Sequence, residues 1–467
     1  MTAILLAAAA VAAPVAAPTV RVTVQPMGAP KPALKYQLLP EVRELKAGNA
    51  AQWYLRSFME QRSFFFSKEG TAQRVRYQGM TLKELASEPL SNYGGSALTQ
   101  TDWGARLDTV DWQVLDRIQA EGPDLRLSEL APLHLLAASL QIRFRVEVAR
   151  GEYDDAIRTA KTMFVLARHL SDYPTTAANR VGLTIADMTL DTLWEMIQQP
   201  GCPNLYWALT DLPCPLVELR KGVQGDRALV DTELRAFRDN SVLADAEVED
   251  LVSRLSGRAG YIREQAGLPP RNLRAVLATR AKDAAGVRDA RRRLIESGLS
   301  KNAVEGFDPV HIVLLDDKRD YEVRRDEEIR LLGVKAWEMD TIPREKHTAD
   351  GLFTDLVPRV ADTRRVQARF EQRVALLRHV EALRMFAAAH DGKLPNKLDD
   401  AGVPLPADPF SGKPFAYVLE DGVAKLRGSA PKREGHALSY EVTVQHKVSP
   451  KGELVNPARK SGGNTKQ

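Results

Sequence analysis

The chain has 467 residues, 44% of them hydrophobic, 27% charged and only 6% aromatic. That length gives room for two or three domains with a sizeable core, and abundant Ala, Leu and Arg favour helices over strands. The net charge of +4 is small beside 65 basic and 61 acidic side chains, so no nucleic-acid partner is expected.

Residues 1–13 read as an export signal: an apolar run from Ala3 to Ala13 with small residues at Ala10-Val11-Ala12, although no Lys or Arg precedes it. The run is too short to span a bilayer, and no later stretch is long and apolar enough to do so. Residues 14–40 are rich in Pro, Ala and Val and read as a linker, with Val20 to Val24 as an edge strand. A helical domain is expected over 41–345. Asn49 caps its first helix, which runs to Phe66, and Thr81 caps a short one ending at Ala86. The turn-rich Pro89 to Thr101 follows.

From Asp108 the helical signal strengthens. Leu136, Leu140, Phe144 and Val148 recur every four residues and form one apolar stripe. Gly151 ends that helix, and Tyr153, Ala156, Ala160 and Phe164 or Ala167 continue the stripe on the next. Further helices are expected at Thr175–Gln198, Pro203–Thr210, Leu216–Val223, Asp226–Asp239, Ala244–Arg254, Pro270–Lys282, Val287–Ser297 and Pro309–Leu332. The only cysteines, Cys202 and Cys214, flank the short helix at 203–210. A straight helix holds them too far apart for a disulfide, and two cysteines at this spacing make no zinc site.

A long amphipathic helix is expected from Ala361 to His390. Phe370, Val374, Leu377, Val380, Leu383 and Ala387 line its inner face, and Arg364, Arg365, Arg369, Glu371, Arg373, Arg378 and Arg384 its charged face. After Asp391-Gly392 the chain turns extended. Phe415–Leu419 and Val423–Leu426 pair across Glu420-Asp421-Gly422, and His436–Val444 supplies a third strand. Residues 447–467 read as a disordered basic tail.

Three resemblances carry these patterns further. The segment Gly151-Glu152-Tyr153-Asp154-Asp155-Ala156-Ile157 resembles the inter-helix turn of a tetratricopeptide repeat, in one hairpin (136–167) that does not recur one repeat length onward. The helix, the loop with Asp408-Pro409 and Gly412-Lys413-Pro414, Tyr417 and the hairpin (364–426) resemble the soluble half of a type II secretion pseudopilin. That likeness implies an assembly module over 361–446, a long helix on a small antiparallel sheet. Pseudopilins start with a hydrophobic filament-building helix, whereas roughly 360 residues precede this Arg-rich one, so the filament role is not expected to carry over. Some pseudopilins hold calcium near the sheet, and Asp400, Asp408 and Asp421 offer oxygens there, but the expectation is solvated loop carboxylates and no bound metal. The block Pro203-Asn204-Leu205-Tyr206-Trp207-Ala208-Leu209 is similar to one in exported bacterial helical proteins and implies no activity.

No P-loop, dinucleotide fingerprint, nucleophile elbow or zinc-protease motif is present. Ser429-Ala430-Pro431-Lys432 has the spacing of a serine–lysine pair, but Pro431 denies it the helix it needs. Asp316, Asp317, Asp320, Glu322, Asp326, Glu327 and Glu328, interleaved with Lys318, Arg319, Arg324 and Arg325, read as a solvent-facing helix. Arg271–Arg293 is the most basic stretch and a candidate for peripheral membrane contact or an acidic partner; it lacks aromatics for stacking on bases.

The expected fold is therefore mostly α, stacked helical hairpins in a solenoid-like arrangement with a small C-terminal α+β module. The expected function is that of an exported, non-enzymatic binding or scaffold protein of the bacterial cell envelope with a protein partner. Tyr153, Tyr206 and Trp207 are its candidate contacts, and no catalytic, cofactor or metal residue is assigned. The alternatives are a hydrolase whose residues, such as His134 and His169, meet only in three dimensions, and an accessory component of secretion machinery.

Overall fold

The computed structural model describes residues 19–90, 92–238, 242–345, 351–431 and 436–445. The export segment (1–13), the tail (447–467), His347, His446 and Lys432 lie outside the described residues. Strand β1 (Val20–Val24) opens the fold, followed by a short turn of helix at Val42–Glu44 and by β2 (Lys46–Asn49). Helices α1 (Ala50–Glu60), α2 (Arg62–Phe66), α3 (Lys68–Gly79), α4 (Leu82–Ser87) and α5 (Gly95–Gly104) lead to β3 (Leu107–Thr109) and α6 (Leu115–Glu121). The central stack is α7 (Leu130–Ala149), α8 (Tyr153–His169) and α9 (Thr176–Met196). Then come α10 (Tyr206–Thr210), α11 (Arg220–Ala236), α12 (Asp245–Gln265), α13 (Leu273–Lys282), α14 (Ala284–Glu296), α15 (Lys301–Gly306) and α16 (Pro309–Ile329). The long α17 (Val360–Ala389) and strands β4 (Ala416–Glu420), β5 (Val423–Arg427) and β6 (Ser439–Val444) complete a mostly α protein with a small C-terminal α+β module.

Local sequence explains the helix starts. The side chains of Asn49, Thr81 and Thr175 accept hydrogen bonds from backbone N–H groups of Ala51, Glu84 and Ala178, as helix caps do. At the α7–α8 turn Gly151 takes a φ of 73°. The Glu152 N–H donates to the Glu147 carbonyl and the Gly151 N–H to that of Val148, closing a Schellman turn. The Leu136-Leu140-Phe144-Val148 stripe is buried, but so are Ile142 and Val146 behind it. Helix α7 is enclosed on more sides than its stripe predicts, because α4, α8 and α9 all pack on it.

Some expected boundaries move for physical reasons. The helix expected over 49–66 breaks at Gln61, whose ψ of 42° ends α1. The turn-rich 89–101 contains the start of α5. Two helices were expected at 216–223 and 226–239, but the structure has one, α11. Gly225 does not break it. A Cβ there would lie 1.8 Å from the Pro174 carbonyl oxygen, so the glycine lets α11 approach the start of α9.

The expected three-stranded sheet has a fourth strand. Its order is β1-β6-β5-β4, with β4–β5–β6 antiparallel and β1 parallel to β6 in the register Val20↔Tyr440 to Val24↔Val444. The N-terminal strand read as part of a linker thus edges the C-terminal sheet. Asp421 and Gly422, with φ of 49° and 78°, form the tight β4–β5 turn. One large core runs through α1, the α7–α9 stack, the inner face of α17 and the sheet, and a second through α11–α16.

Of the charged face expected on α17, Arg365 and Arg384 are buried and Arg364, Arg369, Glu371, Arg373 and Arg378 are half-buried. Gln372 and Glu381 beside it are buried too. Arg384 holds Glu381 at 2.9 Å and also donates to the carbonyls of Gln25 and Cys202, at 3.1 and 2.8 Å. It ties the N-terminal strand and the loop before α10 to α17. Likewise α16 is not the solvent-facing helix that its acidic run suggests. Asp316, Asp317, Lys318 and Arg325 are buried. Arg293 meets Asp316 at 2.6 Å, Arg280 pairs with Asp317, and Arg325 meets Asp231 at 2.8 Å. Arg280 and Arg293 of the basic stretch are thus paired with the acidic run, while Arg271 and Arg274 pair with Asp355 and Glu249.

Candidate functional site

A half-open cleft of about 500 Å³ lies between residues 35–44 and one face of α8. Asp154, Ile157, Arg158, Lys161 and Thr162 come from α8. Their spacing puts them on one side of the helix, where Ile157 and Thr162 are themselves buried and Asp154 and Arg158 are exposed. The other wall is Lys35, Tyr36, Gln37, Pro40, Arg43 and Glu44, and Ala105 and Arg106 close one end.

The extended wall is fixed by its neighbours. Leu38 is 1% exposed and anchors it in the main core. The Glu41 N–H donates to the Glu44 carboxylate at 2.9 Å, and the Glu44 N–H to the Glu41 carbonyl at 2.8 Å, so the turn at Val42–Glu44 closes on itself. The Lys46 N–H donates to the Arg106 carbonyl at 2.8 Å, where β2 begins to pair with β3. That short parallel pair brings residues 43–46 beside Arg106.

The lining has five cations, Lys35, Arg43, Arg106, Arg158 and Lys161, and two carboxylates, Glu44 and Asp154. Lys161 Nζ donates to both Glu44 oxygens, at 3.1 and 2.9 Å, and so bridges the cleft from floor to wall. Partial burial raises the Glu44 carboxyl, but hydrogen bonding to Lys161 and to the Glu41 N–H outweighs it and leaves the group below its ordinary value. Arg158 pairs sideways with Asp155.

Under the floor runs a half-buried polar chain. The Thr162 hydroxyl donates to Asp102 at 2.7 Å, and Arg143 grips both Asp102 oxygens at 2.8 and 2.9 Å. Arg143 also donates to the Thr159 hydroxyl at 3.1 Å and lies 3.6 Å from Glu147. Burial pushes the Glu147 carboxyl up to about 7 against the pull of Arg143, and its Oε2 has no hydrogen-bond partner. This chain fixes how α5, α7 and α8 pack, and with them the cleft floor.

The residues singled out by sequence lie elsewhere. Tyr153 is half-buried, and its hydroxyl donates to the Pro200 carbonyl at 2.8 Å. Tyr206 is 0% exposed and its hydroxyl bonds the Pro404 carbonyl, so as a partner contact it is corrected to a core residue. Trp207 is half-buried with its ring edge-on to Tyr206, 5.0 Å between centroids. His169 is given to the Tyr54 hydroxyl at 2.8 Å, not to His134, and burial pushes it down to about 4. No group of three His, Cys, Asp or Glu side chains is placed to hold a metal among the described residues. Cys202 is buried, Cys214 is exposed, and both are free.

Asp408 is the clearest departure from a solvated loop carboxylate. It is 1% exposed and accepts from the Phe410 N–H at 3.0 Å, the Gln372 amide at 2.9 Å and the Ser429 N–H. Its oxygens are spent in pinning the 408–413 loop and the end of β5 to α17.

Sequence reading missed the cleft because its residues come from the end of a stretch read as linker, from the start of the expected helical domain, from just after α5 and from α8. The one signal that could have found part of it was Arg158 and Lys161 at i, i+3 on the face of α8 opposite its apolar stripe. Compared with known protein families, with curated proteins and with solved structures, the chain matches none. No helix among the described residues is long and apolar enough to cross a membrane.

Proposed function

We propose that this is a non-enzymatic binding or scaffold protein, exported to the bacterial cell envelope, that recognises a protein partner through its helical surface. The observation that carries the reading is the cleft on α8, a cation-rich concavity on a helix set rigidly in the main core. Charged groups in and around the interior are tied to counter-charges that hold elements together, as at the fully buried Arg384–Glu381 and the half-buried Arg143–Asp102. Such a division suits recognition by shape and charge, with few individually essential residues. The test is crosslinked pull-down from the envelope fraction of the source cells, with N-terminal sequencing of the recovered chain. A defined partner and a processed N-terminus are expected. An unprocessed chain in the cytoplasmic fraction, or turnover of a small molecule by the purified protein, would overturn the reading.

A second reading, an accessory subunit of secretion machinery, is favoured by the order of elements from α17 through the Asp408 loop to the β4–β5 hairpin. Co-purification with secretion components would decide for it.

A further inference from the structure

We propose that the cleft between residues 35–44 and α8 is a docking site for an acidic protein segment, and that Glu44 is a built-in competitor which an incoming carboxylate displaces from Lys161. This rests on the binding-protein reading and names the chemistry of its partner.

Charge is the first argument. Five cations face two carboxylates in the lining, and one of those carboxylates, Glu44, is already consumed by Lys161. Lys35, Arg43, Arg106 and Arg158 are exposed; Arg43 and Arg158 rest on the carboxylates of Glu41 and Asp155, solvent-exposed pairs that a ligand carboxylate exchanges at little cost. Opposed potentials of this kind steer and select partners.

Shape is the second argument. Small-molecule sites are enclosed, mostly apolar and carry a few converging polar groups. This cleft is half-open and its lining carries long charged side chains along both walls. A chain running between those walls can meet one cation after another, which a compact anion cannot do. Tyr36 is the one aromatic among its lining residues, where single-stranded nucleic acid needs a series of stacking faces.

The Glu44–Lys161 pair is the third argument. It already shows a carboxylate bound in the cleft, both oxygens on one ammonium. Glu44 lies on the extended wall and Lys161 on the rigid helix, so the pair is a contact across the cleft. A partner carboxylate offers Lys161 the same bonds. Glu44 keeps its second role after displacement, because an oxygen that accepts the Glu41 N–H holds the turn. Gln at this position can do the same, since the capping arrangement takes Glu or Gln.

The experiment titrates a fluorescein-labelled peptide of eight glutamates into the full chain at low salt, with inorganic phosphate, citrate and a single-stranded oligonucleotide as comparison probes. The double variant Arg106→Glu/Arg158→Glu should weaken peptide binding by about tenfold or more. Glu44→Gln should strengthen it by several-fold, and by more than Glu296→Gln, which changes net charge equally on an exposed site of α14. Three results would overturn the proposal: parental affinity in the double variant, no difference between Glu44→Gln and Glu296→Gln, or tighter binding of phosphate, citrate or the oligonucleotide than of the peptide. The same variants separate this proposal from the reading beneath it. A partner captured from the envelope equally well by the double variant removes the cleft's role and leaves the binding protein standing.

Discussion

Two carboxylate–cation pairs in this molecule share their chemistry and differ in their surroundings. Glu381 and Arg384 on α17 are both 0% exposed, and Arg384 also binds the carbonyls that fasten the N-terminal strand and the loop before α10. Glu44 and Lys161 meet at a similar distance, but the Glu44 side chain is 40% exposed. Burial makes the first pair obligatory, since removing one partner strands a charge that water cannot reach. Exposure makes the second exchangeable, since water or another carboxylate can replace Glu44 at little cost. Position relative to solvent, more than residue type, separates charges that build this protein from charges it can offer to a partner.

The contrast is broken most forcefully at α17. Arg384→Met leaves Glu381 buried without its cation and the Gln25 and Cys202 carbonyls without their donor. A loss of about 3–5 kcal/mol in urea unfolding is expected. Asp408→Ala removes the acceptor of two backbone N–H groups and the Gln372 amide, and should cost about 2–3 kcal/mol by the same measurement.

Glu147 sharpens the comparison because burial wins over its arginine there. Its folded value of about 7 lies above the ordinary 4.5, so the native state favours the protonated form. The stability this gives is complete below pH 4.5 and is lost as pH rises through about 7. Glu147→Gln stays neutral throughout, so it should gain on the parent between pH 5 and pH 8, by roughly 2 kcal/mol at the upper end. His169 and His379 work in the opposite direction. Burial pushes both down to about 4 from 6.5, so the stability of their neutral forms is present above pH 6.5 and lost as pH falls through about 4. Thermal melts from pH 8 to pH 4 should show this acid limb flattened in His379→Gln. The smallest effect belongs to the cleft: Arg106→Glu/Arg158→Glu should shift the melting temperature by less than about 2 °C.

Local signals were legible in the sequence, and long-range pairings were not. Asn49 and Thr81 announced their helices because a cap is read from neighbouring residues. The span of α17 and the Asp421-Gly422 turn were legible for the same reason. Val20–Val24 was recognised as an edge strand, but its pairing with β6 depends on the far end of the chain. Helices expected at 216–223 and 226–239 are one, and nothing nearby in sequence shows that Pro174 packs against Gly225 between them. The acids of α16 looked solvated because the arginines that neutralise them, Arg280 and Arg293, belong to α13 and α14. The cleft was illegible for the same reason, since only its α8 residues share a helix face. Tyr153 came within one residue of it, at Asp154, but Tyr206 was chosen for its size and proved to be core.

The most direct measurement is the affinity of folded Arg106→Glu/Arg158→Glu for the octaglutamate peptide, made alongside its urea unfolding curve. Binding lost at an unchanged unfolding midpoint is the expected result. Parental affinity at that same midpoint would contradict the assignment of the cleft charges to recognition.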